Sequence, residues 1–280
     1  AYAGVQTMWM LFVPWHFPLH LDSSVTAVSV AAEKLFQKNY PAVYQHLLQH
    51  KEALSRRNKV ETEIRYEWYA LQRWGANYYQ SFQNPKIIYP NMTTYMPFMF
   101  DERGMVINDK AFMIVAKSDN FPLLALCAIL NSNLAKTWIK CHCPDLGSRG
   151  VEIRKVYFEH FPVVDFSASG NAEILNMLET LGRRRVQIEA NLTSFRRRFM
   201  HKLRATFKNI EETSTFERFL EFKFSELKKA LAKQKIKLSI KEKDAWEDYL
   251  KDYRTRAQQF VEETRALDEE IETKVRFLYG

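Results

Sequence analysis

The chain has 280 residues, 46% of them hydrophobic and 26% charged, which is enough apolar material for one large core or two modest ones. This composition excludes a disordered, collagen-like or disulfide-stapled chain. The formal charge of +8 is uneven: residues 183–241 alone carry +11, while 1–182 and 242–280 are close to balanced or acidic.

The longest apolar stretch, Val5 to Leu21, is broken by Pro14, His16, Pro18 and His20 and falls short of the roughly 20 apolar residues of a membrane helix. No membrane partner is expected. The stretch has no basic leader and no initiator Met, so the chain reads as a piece of a longer protein without a signal peptide. Within it, Thr7 to Val13 is predicted to form a buried strand ended by Pro14. Thr26 to Asn39 has helical spacing of Val30, Leu35 and Phe36, and Pro41 suits the first position of a second helix carrying Val43, Leu47, Leu48 and Leu54.

From Lys86 to Lys117 the period shortens. Lys86-Ile87-Ile88-Tyr89, the alternating Met96, Phe98 and Phe100, a turn at Asp101 to Gly104 and the apolar run Ala111 to Ala116 predict a small antiparallel sheet. Phe121 to Leu130 and Asn133 to Cys141 read as helices separated by an Asn131-Ser132-Asn133 cap, and Gly147 and Gly150 bracket a loop. Ser167 to Gly170 reads as a linker. After it, Ile174, Leu178, Leu181, Ile188, Leu192, Phe195, Phe199 and Leu203 mark a long helix starting near Asn171. A second stripe from Trp246 through Tyr253, Ala257, Phe260 and Ile271 to Leu278 marks another, roughly 50 Å long at about 1.5 Å per residue. The fold class expected is α+β, a small mixed or antiparallel sheet with flanking helices in residues 1–166, followed by a long antiparallel helical pair in 171–280 joined by a basic segment. Self-association through the same stripes, as a coiled-coil interaction module without DNA binding, is the alternative.

No phosphate-binding loop, Gly-x-Gly-x-x-Gly or Gly-x-Ser-x-Gly occurs, so nucleotide hydrolysis, dinucleotide binding and α/β-hydrolase chemistry lack their signatures. Cys141-His142-Cys143 with the distant Cys127 is a weak zinc pattern, and no metal is expected; three cysteines fit a reducing cytoplasm better than a secreted framework. Glu152-x-Arg154 after Asp145 echoes an acidic nuclease pattern, but Arg stands where such sites need Lys.

The basic excess, from Arg183-Arg184-Arg185 through Arg196-Arg197-Arg198 to Lys237, could neutralise phosphates; the competing reading is a solvated helix face paired with the acidic tail. The run Arg65 to Trp74 interleaves aromatic and polar residues. Arg and Gln there could read base edges, while Tyr66, Trp68, Tyr69 and Leu71 could simply be core.

Four phrases carry a resemblance: Phe12-Val13-Pro14-Trp15-His16-Phe17-Pro18, Tyr40 to Leu48, Tyr66 to Arg73, and Pro85-Lys86-Ile87-Ile88-Tyr89-Pro90. In order and spacing they resemble the TaqI-like C-terminal specificity domain, and the resemblance continues through Leu130-Asn131-Ser132 and the loop from Gly147 to Pro162. It covers most of residues 5–165. It implies a target-recognition module of type IIG restriction-modification enzymes and related adenine-specific DNA methyltransferases, with double-stranded DNA and the parent's methyltransferase domain as partners. The parent's S-adenosylmethionine pocket and Asn-Pro-Pro-Tyr motif have no counterpart here, the nearest text being Asn84-Pro85-Lys86, so this chain is expected to be non-catalytic and to carry no cofactor itself. Under that reading Arg65, Gln72, Arg73, Asn91, Thr93, Thr94, Ser148 and Arg149 are base-edge or loop candidates, and Lys86, Arg154, Lys155, Arg183 and Arg197 are phosphate candidates. Arg154 bracing a loop through a carboxylate, and Asn91 and Thr93 capping a turn, remain the alternatives.

Overall fold

The computed structural model describes residues 9–57, 65–207, 210, 211, 216 and 223–280. The described residues separate into two compact units, one ending at Phe82 and the other beginning at Gln83.

The first unit holds three short helices, α1 (Val30–Asn39), α2 (Pro41–Leu48) and α3 (Lys51–Ser55). Helix α1 starts four residues later than the spacing predicts because Ser29 caps it, its hydroxyl accepting the Ala32 N–H at 3.1 Å. Pro41 occupies the first turn of α2, as its fixed φ favours. The expected run to Leu54 breaks at Gln49 and His50. The predicted strand over 7–13 is not formed in its described part: Trp9, Met10 and Leu11 are exposed and irregular, and Val13 makes a single backbone bond, to the Leu71 N–H at 2.9 Å. An apolar run needs a neighbouring strand to pair with, and among the described residues none lies beside this one. The core gathers Val13, Phe36, Tyr44, Tyr66, Tyr69 and Ala70.

At its centre lies Glu67, 1% exposed. Its carboxylate accepts the backbone N–H groups of His16 at 2.7 Å and Ser29 at 2.8 Å, and faces His16 Nδ1 at 3.1 Å. Glu33 works similarly one layer out, accepting from Tyr44 Oη at 2.9 Å and Trp68 Nε1 at 2.7 Å. These carboxylates satisfy donors that a core this rich in aromatics and loops would otherwise strand. Burial, with the charges of Glu67 and Glu33 behind it, pushes the Tyr69 phenol far above its ordinary pKa, and its hydroxyl donates to Phe17 O at 3.0 Å.

The second unit contains a three-stranded antiparallel sheet ordered β3-β1-β4, built from β1 (Lys86–Pro90), β3 (Met99–Asp101) and β4 (Ala111–Val115), with Ile87 opposite both Phe100 and Ile114. A separate two-stranded ribbon pairs β2 (Met92–Thr93) with β5 (Val151–Glu152). Helix α4 (Leu123–Asn131) is buried at every position from Leu123 to Leu130, which is what an all-round apolar helix requires. Ser132 then caps α5 (Asn133–His142), accepting the Ala135 N–H at 3.2 Å, and α6 (Lys155–Phe158) is one turn long.

Past the linker, α7 (Ala172–Thr206) and α9 (Ile240–Tyr279) run for about 52 and 60 Å, with the ten-residue α8 (Phe224–Lys233) between them. The first half of α7 lies on α4, where a Cβ at Gly182 would stand 3.1 Å from Leu124 O, so a bare backbone is what permits the approach. The far half of α7 buries Phe199, Met200 and Leu203 against Leu227 and Leu231 of α8 and Trp246, Leu250 and Tyr253 of α9. The two apolar stripes thus meet each other within one chain. Compactness breaks near residue 82 rather than at Ser167–Gly170, because α4 and α7 share one core, which includes Leu124, Leu175 and Leu178.

Candidate nucleic-acid interface

The β2–β5 ribbon assembles residues that are some 60 positions apart in sequence. Met92 pairs with Glu152 and Thr93 with Val151, while Asn91 O accepts the Ile153 N–H at 2.7 Å. Beside it, the loop 145–150 closes on itself: Leu146 N–H donates to Gly150 O at 2.7 Å, Gly150 N–H to Gly147 O at 2.9 Å, and Asp145 accepts the Gly147 N–H at 2.8 Å. Gly147 and Gly150 both have positive φ, and the Gly150 Cα lies so close to the ribbon that a Cβ would stand 2.0 Å from Thr93 O. Ser148 and Arg149 are carried, exposed, at the loop's tip.

This construction brings together Asn91, Thr94, Ser148, Arg149, Arg154 and Lys155. Thr94 is exposed, and Asn91 is half-buried with Oδ1 enclosed and without a hydrogen-bond partner, an unused acceptor at the ribbon's edge. Arg154 pairs with Glu152 at 2.8 Å yet keeps more than half of its side chain in solvent, so the bracing reading holds and the guanidinium still faces outward. Lys155 is exposed at the start of α6. Around this two-stranded ribbon Thr94, Ser148 and Arg149 are exposed, and Arg154 keeps much of its guanidinium side chain in solvent.

Two residues leave the interface. Thr93 is buried, its hydroxyl accepting the N–H groups of Tyr95 at 3.2 Å and Met96 at 3.1 Å, so it caps the following turn rather than addressing a base. Lys86 is fully buried and ion-paired with Asp101, which also accepts from Arg103 N–H at 3.1 Å and Met105 N–H at 2.9 Å; it cannot reach a phosphate. Asn84-Pro85-Lys86 leads into the core strand β1. Two residues were missed by the sequence reading: Tyr95, 72% exposed just past the Thr93 turn, and Met92, exposed on β2. Their signal was an apolar residue in an otherwise polar turn.

In the first unit Arg65 and Arg73 are exposed and Gln72 is half-buried, while Tyr66 and Tyr69 are core. On α7, Arg183 pairs with Glu179 at 3.4 Å one turn away, and Arg197 is exposed. Cys143 is buried and Cys141 exposed, and His142 stacks on Trp138 with centroids 4.2 Å apart. Among the described residues no group of three His, Cys, Asp or Glu side chains is placed to hold a metal ion, and no helix is long and apolar enough to cross a membrane.

The α+β part of the chain that presents this ribbon and loop falls within a match to a DNA-specificity module of the restriction-modification class. Residues 34–163 match the TaqI-like C-terminal specificity domain, and this part of the chain is such a domain. Residues 171–275 match a second family, described only as Domain of unknown function (DUF8810). The two matches meet across residues 164–170, the stretch that holds the Ser167–Gly170 linker. No curated protein matches the chain.

Proposed function

We propose that the chain reads a short duplex sequence on behalf of a site-specific adenine-N6 DNA methyltransferase of the type IIG kind, one that methylates and in some members also cleaves. The observation that carries this reading is the match of residues 34–163 to the TaqI-like C-terminal specificity domain. The ribbon and loop around Asn91, Thr94, Ser148 and Arg149 supply base-edge contacts, and Arg154 and Lys155 hold flanking phosphates. S-adenosylmethionine and the flipped adenine belong to the parent's catalytic domain, while this domain fixes the register of the duplex.

The test is selection from a random-sequence duplex library across a salt series, followed by sequencing of the retained DNA. Enrichment of one short motif, with affinity falling steeply as salt rises, is the expected result. Retention without any enriched motif would refute the specificity reading. The interaction-module alternative would need a partner beyond the packing that α7 and α9 already make with each other within the chain, and sedimentation of the same sample tests it.

A further inference from the structure

The basic excess of residues 183–241 splits into two groups with different fates. Arg183, Arg184 and Arg185 are engaged by carboxylates: Arg183 by Glu179, Arg184 by Glu263, and Arg185 by Asp268 at 3.0 Å and Glu189 at 2.9 Å. Arg185 is itself buried, and the two carboxylates beside it raise its pKa against the effect of burial. This triplet holds α7 to α9 and to itself.

About four turns further along α7 the environment changes. Arg198 lies over the Phe195 ring at 4.5 Å and Lys202 over the Tyr249 ring at 3.9 Å, both with exposed side chains. Among the described residues no carboxylate pairs with either. Arg256 on α9, by contrast, is ion-paired with Asp252 one turn away at 2.8 Å. Tyr249 and Tyr253 lie together with centroids 5.4 Å apart, and the Tyr253 hydroxyl donates to Phe195 O. The ring faces thus hold the charged groups themselves, on side chains that remain exposed.

We propose that this aromatic-floored patch, Arg198 and Lys202 over Phe195 and Tyr249, is a phosphate-backbone contact for duplex DNA that adds affinity without sequence preference. It rests on the reading of the chain as a DNA-specificity module and assigns a role to the helical segment beyond residue 171. Cations held on aromatic floors keep their direction at little entropic cost, and exposed unpaired charge near a polyanion releases counterions on contact. An acidic protein surface is the other partner such a patch fits, and a duplex is favoured because the same chain carries a DNA-specificity domain.

The experiment compares the full chain with Arg198→Gln/Lys202→Gln, which replaces the two charges by exposed neutral polar side chains, and with Arg184→Gln, whose charge is already paired. Each is titrated with duplexes that contain or lack the enriched motif, over a salt series. The expected result is a log–log salt slope shallower by about two for the double variant on both duplexes, with the preferred motif and the melting temperature unchanged, and no slope change for Arg184→Gln. Unchanged slopes in the double variant with the motif still enriched would overturn the patch alone, as would an altered motif. Failure of the unaltered chain to retain any duplex, while binding polyglutamate, would overturn the patch and the specificity reading together.

Discussion

A Cβ placed on Gly150 would stand 2.0 Å from the carbonyl oxygen of Thr93, closer than real Cβ atoms come to anything. The loop bearing Ser148 and Arg149 therefore keeps its height above the ribbon only while residue 150 has no side chain. Gly150→Ala forces the two backbones apart and places an L side chain at φ 85°, at a cost of about 1–3 kcal/mol in backbone strain before the clash is counted. Its neighbour is the control: Gly147 has φ 63° but open space around it, so Gly147→Ala costs only about 1 kcal/mol. Thermal melting is expected to rank Gly150→Ala below Gly147→Ala, and duplex selection is expected to show a blurred motif for Gly150→Ala.

Tyr95 offers a ring that packs little protein surface. At 72% exposure its removal leaves the core intact, so Tyr95→Ala should melt within about 1 °C of the unaltered chain. If the ring packs on DNA at the edge of the recognition ribbon, its loss weakens binding by about 1–3 kcal/mol, the range for aromatic contacts with bases. A titration in which Tyr95→Ala binds the selected duplex as tightly as before would remove Tyr95 from the interface.

Much of this architecture was legible from residue pattern because it depends on local period. The Asn131-Ser132-Asn133 break and the long stripes of α7 and α9 specify elements through side-chain spacing alone, whereas of the alternating Met96, Phe98 and Phe100 only Phe100 lies in a strand, β3, the other two being buried outside it. Where sequence reading failed, a partner distant in the chain decided the outcome. Trp9 to Val13 looks like a strand but among the described residues has no strand to pair with, and Lys86 looks like a surface cation until Asp101 is seen opposite it across the β1–β3 register. Candidate contacts suffered similarly: Thr94 and Thr93 are adjacent and chemically identical, and only the turn that Thr93 caps tells them apart.

Lys86 separates a structural cation from a binding one. Its ammonium is buried against Asp101, so Lys86→Met leaves a carboxylate enclosed without its counter-charge, a loss of about 3–5 kcal/mol. Urea titration is expected to show that loss. Below the unfolding transition, the duplex salt slope of Lys86→Met should equal that of the unaltered chain, because no phosphate contact has been removed. A shallower slope at full folding would return Lys86 to the interface.

Glu67 governs the first unit in the same hidden way. Two backbone donors, His16 N–H and Ser29 N–H, depend on its carboxylate, and Ser29 is the residue that caps α1. Glu67→Ala strands both donors in a core where each unmet group costs about 1–3 kcal/mol, whereas Glu67→Gln retains one amide oxygen and loses less. Amide hydrogen exchange at His16 and Ser29 reads this locally, without requiring the two units to unfold as one. Both amides are expected to exchange at least tenfold faster in Glu67→Ala, with an intermediate rate in Glu67→Gln, while Ile87 and Ile114 in the sheet keep their protection. Equal protection of His16 and Ser29 in all three proteins would mean that the carboxylate is not what satisfies these donors.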